Sequence, residues 1–219
     1  MVCNDLEHPP VTTSSNVVLF CFAAIVLIVT PGPNFLYVLT RGAAEGRRAG
    51  LVAACGLGAG VLIHTTLTAI GVAALIRSSY FAFRVIKYGG SLYLAYLGVR
   101  AFRDRAHVPA AMREVPQKDH RVFWQSIATS MTNPKTILFF LSFLPQFVNA
   151  AAGHAARQMF LLGTLYMLLT LIVYGLVGYY AGSAGQWLCR RETVAARLRL
   201  LTATSFIGLG VWAALPDRR

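Results

Sequence analysis

Apolar residues run through this chain in stretches too long for a soluble fold. Three are free of Asp, Glu, Lys and Arg throughout: Asn16 to Thr40, Ala49 to Ile76 and Gln158 to Cys189. A helix rises about 1.5 Å per residue and the hydrocarbon core of a bilayer is about 30 Å thick, so a span needs roughly 20 mostly apolar residues. Each of the three meets that length. Three further stretches qualify with basic residues near their ends. Tyr80 to Phe102 carries Arg84 and Lys87 in its opening turns, Val122 to Val148 contains Lys135, and Leu200 to Pro216 lengthens if it starts near Thr193 with Arg197 and Arg199 reaching to the interface. The pattern predicts an all-α polytopic membrane protein of six transmembrane helices. Its polar punctuation gives an N-terminal arm over 1–15, a three-helix unit over 16–103, a linker over 104–120 that holds Pro109 and Pro116, and a second three-helix unit over 121–219.

Composition removes the alternatives. Hydrophobic residues make up 56% of the chain and charged residues 13%, about half the charge density of a soluble protein. That excludes a soluble enzyme, and it excludes disorder, because this much apolar side chain does not stay hydrated. A net charge of +12 would in a soluble domain suggest nucleic acid. Here no Lys or Arg precedes Arg41 and most lie in short loops, the distribution that fixes loops on the cytoplasmic side. With the amino terminus outside, the inner segments hold Arg41, Arg47, Arg48, Arg100, Arg103, Arg105, Arg113, Lys118, Arg121, Arg190, Arg191, Arg197 and Arg199. The outer ones hold Arg77, Arg84, Lys87, Arg157, Arg218 and Arg219. Both termini are therefore expected outside. The acidic start and the absence of an A-x-A site argue against a cleaved signal peptide. Cys3, Cys21, Cys55 and Cys189 form no CxxC pair and no metal spacing.

Three helices per half means that the second half enters the bilayer from the opposite side, the inverted-repeat plan of many secondary transporters. The third and sixth helices end in related strings, YLGVRAF and GLGVWAA. The stronger parallel is in the first helix of each half, where Pro31-Gly32-Pro33-Asn34 interrupts one run and Asn133-Pro134-Lys135 the other. Proline removes a backbone donor and clashes with the preceding turn, at about 3 kcal/mol in a helix interior. Irregular backbone at membrane depth is tolerated only where it is buried in protein or lines a wet cavity. Paired breaks with an adjacent Asn therefore point to a midplane substrate site, made of Pro31, Gly32, Pro33, Asn34, Asn133, Pro134 and Lys135. The eight carboxylates all fall outside the spans, so a substrate carboxylate is the expected partner of Lys135; a lysine reaching to the interface is the plainer alternative. His64, in the second span, is the candidate for carrying a coupling proton, against a structural hydrogen bond to a neighbouring helix. Glycines at 42, 46 and 50, at 56 and 60, and at 178 and 182 form small-xxx-small ridges, read as close packing inside the bundle with homodimerisation as the alternative.

The segments PGPNFLYVLTRGAAEGRRAGLVAACGLGAG, RVIKYGGSLYLAYLGVRAF and TNPKTILFFLSFLPQF resemble the lysine exporter (LysE) family, in its homoserine/threonine resistance (RhtB) branch. The likeness runs from about Asn16 to near the end and maps the family motifs onto Pro31, Gly32, Pro33, Asn34, Gly50, Gly58, Lys87, Gly89, Tyr93, Leu97, Gly98, Asn133, Pro134 and Lys135. The polar arm before Asn16 is longer than is usual there. The resemblance implies a multi-pass exporter in the bacterial inner membrane. Its cargo would be amino acids or close derivatives such as homoserine, threonine or homoserine lactone, moved by alternating access and driven by the proton-motive force, with no cofactor and no metal. The expected partners are an amino acid and the lipid bilayer, not nucleic acid. A thiol-disulfide carrier would need a cysteine beside each break, and the fourth helix has none. A heavy-metal exporter would need soft or anionic ligands in the spans. A membrane-embedded enzyme built on Ser126, Ser130, Thr132, Asn133 and Lys135 would lack a His, Asp or Glu to orient its base, so no catalytic residue is assigned.

Overall fold

A computed structural model describes residues 14–78, 117–148 and 154–189, together with single helical positions at 81, 85, 88, 89, 91, 92, 95, 96, 99, 200, 204, 207, 208 and 211. Most of the expected third and sixth spans, nearly all of the 1–15 arm and most of the 104–120 linker lie outside the described residues, as do Lys87, Tyr93, Leu97 and Gly98. Every element among the described residues is helical. They are α1 (Ser14–Val29), α2 (Pro33–Glu45), α3 (Arg47–Ser78), α4 (Asp119–Thr132), α5 (Pro134–Leu138) and α6 (Ala155–Cys189). After α5 the chain makes a π-helical turn, Phe139–Phe143, and a 3-10 turn, Leu144–Phe147.

Within α3 and α6 two stretches, Arg47–Gly71 and Ala155–Ala181, are long and apolar enough to cross a bilayer. The α1 and α2 segments form a third span when taken as one helix bent by 56° at its break. Outward faces carry large apolar side chains, among them Phe22 on α1, Ile70 on α3 and Ile172 on α6, the pattern of a surface turned to lipid. Inside, Phe20, Leu27, Val38, Leu57, Phe139 and Phe143 are sealed from solvent.

The axis of the bundle is α3, and glycine sets how close its neighbours come. A Cβ on Gly50 would lie 2.5 Å from the Gly178 carbonyl oxygen of α6, one on Gly56 2.5 Å from Phe123 O of α4, and one on Gly60 2.5 Å from Ser130 Cβ. Gly42 of α2 meets Ala181 and Gly178 in the same way. The ridges formed by glycines 42, 50, 56, 60 and 178 are thus consumed within the chain, which is the packing reading of the sequence. Contacts pair Gly50 with Gly178 and Thr65 with Gly163, so α3 and α6 are antiparallel, whereas Gly56 and Gly60 follow α4 in parallel. Gly46 parts α2 from α3 at φ +89°, a left-handed conformation that a side chain rarely adopts.

One end of the bundle gathers segments that the charge distribution assigns to a single side. Arg48 pairs with Asp119 at 2.7 Å, Gln117 N–H donates to Glu45 Oε2 at 2.8 Å, and Arg47 donates to the Tyr179 hydroxyl at 3.2 Å. The α2–α3 turn, the start of α4 and the later part of α6 therefore meet. Glu45, beyond the charge-free run that ends at Thr40, ion-pairs with Arg41 one helical turn away, and both side chains are buried. Arg41 also donates to Gln125 Oε1 at 3.3 Å, and the Tyr37 hydroxyl donates to the same oxygen at 3.1 Å.

Candidate functional site

The first break is built by its prolines. α1 stops at Val29, Thr30 to Gly32 are non-helical, and Pro33 opens α2 at the first helical position, where its missing N–H costs nothing. Thr30 turns its own N–H and hydroxyl back onto Val26 O, at 3.0 and 2.7 Å. Two later carbonyls are taken from the other half of the chain: Lys135 Nζ donates to Leu27 O at 2.7 Å and to Thr30 O at 3.0 Å. The Lys135 ammonium thus caps the negative end of the α1 dipole. On the other side of the break no side chain among the described residues caps α2. Gly32 has no side chain to do so, and the ladder begins with Leu36 N–H to Gly32 O at 2.9 Å, so the N–H groups of Asn34 and Phe35 have no partner within the helix.

The second break closes on itself. Asn133 is the single residue between α4 and α5. Its N–H donates to Ser130 O at 3.2 Å, and its Oδ1 accepts from Lys135 N–H at 3.0 Å, an N-cap followed by Pro134 at the first helical position. Ser130 O is shared with His64 Nε2 at 3.1 Å. A carbonyl only accepts, so that ring nitrogen carries the proton. The His64 ring stacks on Phe140 with centroids 5.7 Å apart. Asn34 Nδ2 reaches Thr136 Oγ1 at 3.4 Å, a second link between the breaks.

Pro31, Gly32, Pro33, Asn34, Asn133, Pro134, Lys135 and His64 thus occupy one connected region. Three buried side-chain atoms there have no hydrogen-bond partner among the described residues: Asn34 Oδ1, Asn133 Nδ2 and Ser130 Oγ. Buried polar atoms are rarely left unpaired, and here an acceptor and a donor are left on the two asparagines that flank the breaks. The Lys135 side chain is buried. It is 7% exposed, and backbone carbonyls supply the partners that the lack of a nearby carboxylate left open.

Sequence reasoning missed Thr136 as the contact of Asn34. It also missed the aromatic wall beside the second break, in which Phe139 lies 4.8 Å from Tyr166 and Phe140 5.4 Å from it, centroid to centroid. The buried Arg41–Glu45 pair had a signal in the sequence, the four-residue spacing of a helical ion pair.

The LysE type translocator family model matches residues 25–216. The chain is 32% identical to an uncharacterized membrane protein of Pseudomonas aeruginosa over 88% of its own length and 91% of the relative's. It is 30% identical to an uncharacterized membrane protein of Vibrio cholerae over 89% and 94%. The leucine efflux protein of Salmonella typhimurium is 35% identical over 66% of this chain and 69% of that one. No solved structure matches. A match over nearly the whole chain, including both breaks, makes this protein a membrane translocator of the LysE type family, not an enzyme.

Proposed function

We propose that the protein exports neutral amino acids or close derivatives, such as leucine, threonine, homoserine or homoserine lactone, across the bacterial inner membrane by alternating access. One observation carries this reading: a lysine from the second break holds the open carbonyls of the first, with an unpaired amide oxygen and an unpaired amide N–H beside it. A zwitterion presents the complementary groups, an ammonium for carbonyls and Asn34 Oδ1, a carboxylate for Asn133 Nδ2 and the uncapped first turn of α2. The element order supports a 3+3 inverted repeat, since a broken helix followed by a long continuous one opens each half. Leucine efflux relatives support an aliphatic amino acid among the substrates. His64, tied to the second break, is the residue proposed to carry a coupling proton.

Counterflow in proteoliposomes tests the proposal. Vesicles loaded with unlabelled leucine, threonine or homoserine should take up the labelled compound transiently above equilibrium. Absence of counterflow for every amino acid, or chemical conversion of the label, would overturn it.

A further inference from the structure

We infer that the carbonyls of Leu27 and Thr30 form a subsite for a primary ammonium, that Lys135 fills it only in the empty carrier, and that a substrate's α-ammonium displaces Lys135 from it. The inference rests on the amino-acid reading above and deepens it by naming which atoms take the amine.

The starting point is a problem that every broken membrane helix poses. The last carbonyls of α1 cannot be paired within the helix, and no water in the hydrocarbon core replaces the missing donors. A carrier that cycles between loaded and empty forms has to satisfy these carbonyls in both. Lys135 does so now, at 2.7 and 3.0 Å. Its ammonium and the α-ammonium of an amino acid are the same chemical group, three N–H donors on one cationic nitrogen, so the present occupant shows what the site recognises. Asn34 Oδ1, buried and unpaired, is an acceptor available to an incoming ammonium. Gly32 stands next to the amine, since a Cβ there would sit 3.4 Å from Nζ.

Displacement leaves Lys135 with a destination. Its Cα is fixed in the first turn of α5 by the Asn133 cap, while the four-carbon stem can swing the ammonium. The carboxylate of the amino acid that takes the carbonyls carries the negative charge that Lys135 lacks, and Asn133 Nδ2, buried and unpaired, is a donor on the same break. Each state then keeps an ammonium on the carbonyls, Lys135 in the empty carrier and the substrate in the loaded one. The side chain is a tethered substitute for one end of the cargo, and it lets the empty carrier reorient without orphaned backbone groups.

Separating leucine into its two ends tests this. The full chain in detergent is titrated with leucine, with 3-methylbutan-1-amine, which keeps the ammonium, and with 4-methylpentanoate, which keeps the carboxylate; the rise in Tm reports the half-saturating concentration. In Lys135→Met the ammonium subsite is vacant. The amine should bind at least about tenfold more tightly than to wild type, the size of one charge-assisted hydrogen bond, and the carboxylate, which offers no ammonium to the carbonyls, should show no such gain. Amine affinity unchanged or lowered in Lys135→Met, while leucine stabilises the wild type, would overturn the displacement and leave the amino-acid reading standing. Stabilisation of the variant by the amine with no response of either protein to leucine would do the reverse. Lys135→Gln, which keeps a donor for the carbonyls, should give the same sign with a smaller gain. Lys135→Met leaves both carbonyls without this donor until the amine arrives, so without ligand its Tm should lie below that of Lys135→Gln, and a Lys135→Met protein as stable as wild type would overturn the inference.

Discussion

The two breaks follow one plan in sequence and opposite plans in structure. At the second, a single residue does everything: Asn133 caps α5 through its side chain and holds Ser130 O through its backbone. At the first, three residues and a 56° bend leave α2 uncapped and hand the end of α1 to a side chain 105 and 108 positions away. Self-sufficiency makes the second break a mount, which holds Lys135 by its backbone and frees its side chain. Dependence fits the first break to the receptor role proposed for it. Two matched interruptions therefore do not form a symmetric site, and the halves divide the work.

Removing the dependent break should have the largest effect. Pro31→Ala, Gly32→Ala and Pro33→Ala together permit a continuous α1–α2 helix, in which Leu27 O and Thr30 O accept from backbone N–H groups instead of from Lys135. Losing two charge-assisted hydrogen bonds, at about 1.5 to 3 kcal/mol each, predicts counterflow reduced by about a hundredfold or more. The yield of full-length protein extracted from membranes should remain, because alanine at all three positions favours the continuous helix and offsets part of the loss. Wild-type counterflow in this triple variant would show that the bend is structural.

The division between mount and receptor predicts a smaller contrast in stability. Asn133→Ala removes an N-cap worth about 1 kcal/mol, so Tm should fall by about 2 to 4 °C. Gly32→Ala should leave Tm within about 1 °C of wild type: φ −171° and ψ −178° are extended values that alanine adopts, and its Cβ would stand 3.4 Å from Lys135 Nζ, an ordinary contact. Equal losses in the two variants would erase the distinction.

Much of this was legible in the chain. The charge-free runs at Ala49 to Ile76 and Gln158 to Cys189 fall inside α3 and α6, and both helix restarts coincide with a proline, Pro33 and Pro134. A run of uncharged residues and a missing N–H are properties of the sequence itself. The partner of Lys135 is not. Leu27 and Thr30 act through carbonyls that every residue has, and only the bend exposes them. The π and 3-10 turns over Phe139 to Phe147 were hidden because FFLSFLPQF reads as one apolar run with a late proline, and its aromatic contacts with Phe20 and Tyr166 come from helices far off in sequence. The contact of Arg41 with Gln125, 84 positions further on, is likewise not written in the local sequence.

The smallest effect on exchange is expected at His64, and there it separates two roles. Its Nε2–H holds Ser130 O, the carbonyl that also fixes Asn133, so the residue steadies the mount whether or not it carries a proton. Glutamine reaches a similar distance and its amide N–H donates to the same carbonyl, but it does not titrate near neutrality. In His64→Gln the mount is kept, and one neutral hydrogen bond of imperfect geometry changes affinity by about 0.5 to 1.5 kcal/mol at most. Counterflow, which exchanges substrate for substrate and needs no net proton movement, should stay within about tenfold of wild type. Accumulation driven by an imposed pH gradient should disappear if His64 carries the coupling proton. Both measurements on one preparation of proteoliposomes decide the point: gradient-driven accumulation that survives in proportion to counterflow would leave His64 as a support of the second break, and the coupling proton would have to be sought on another residue.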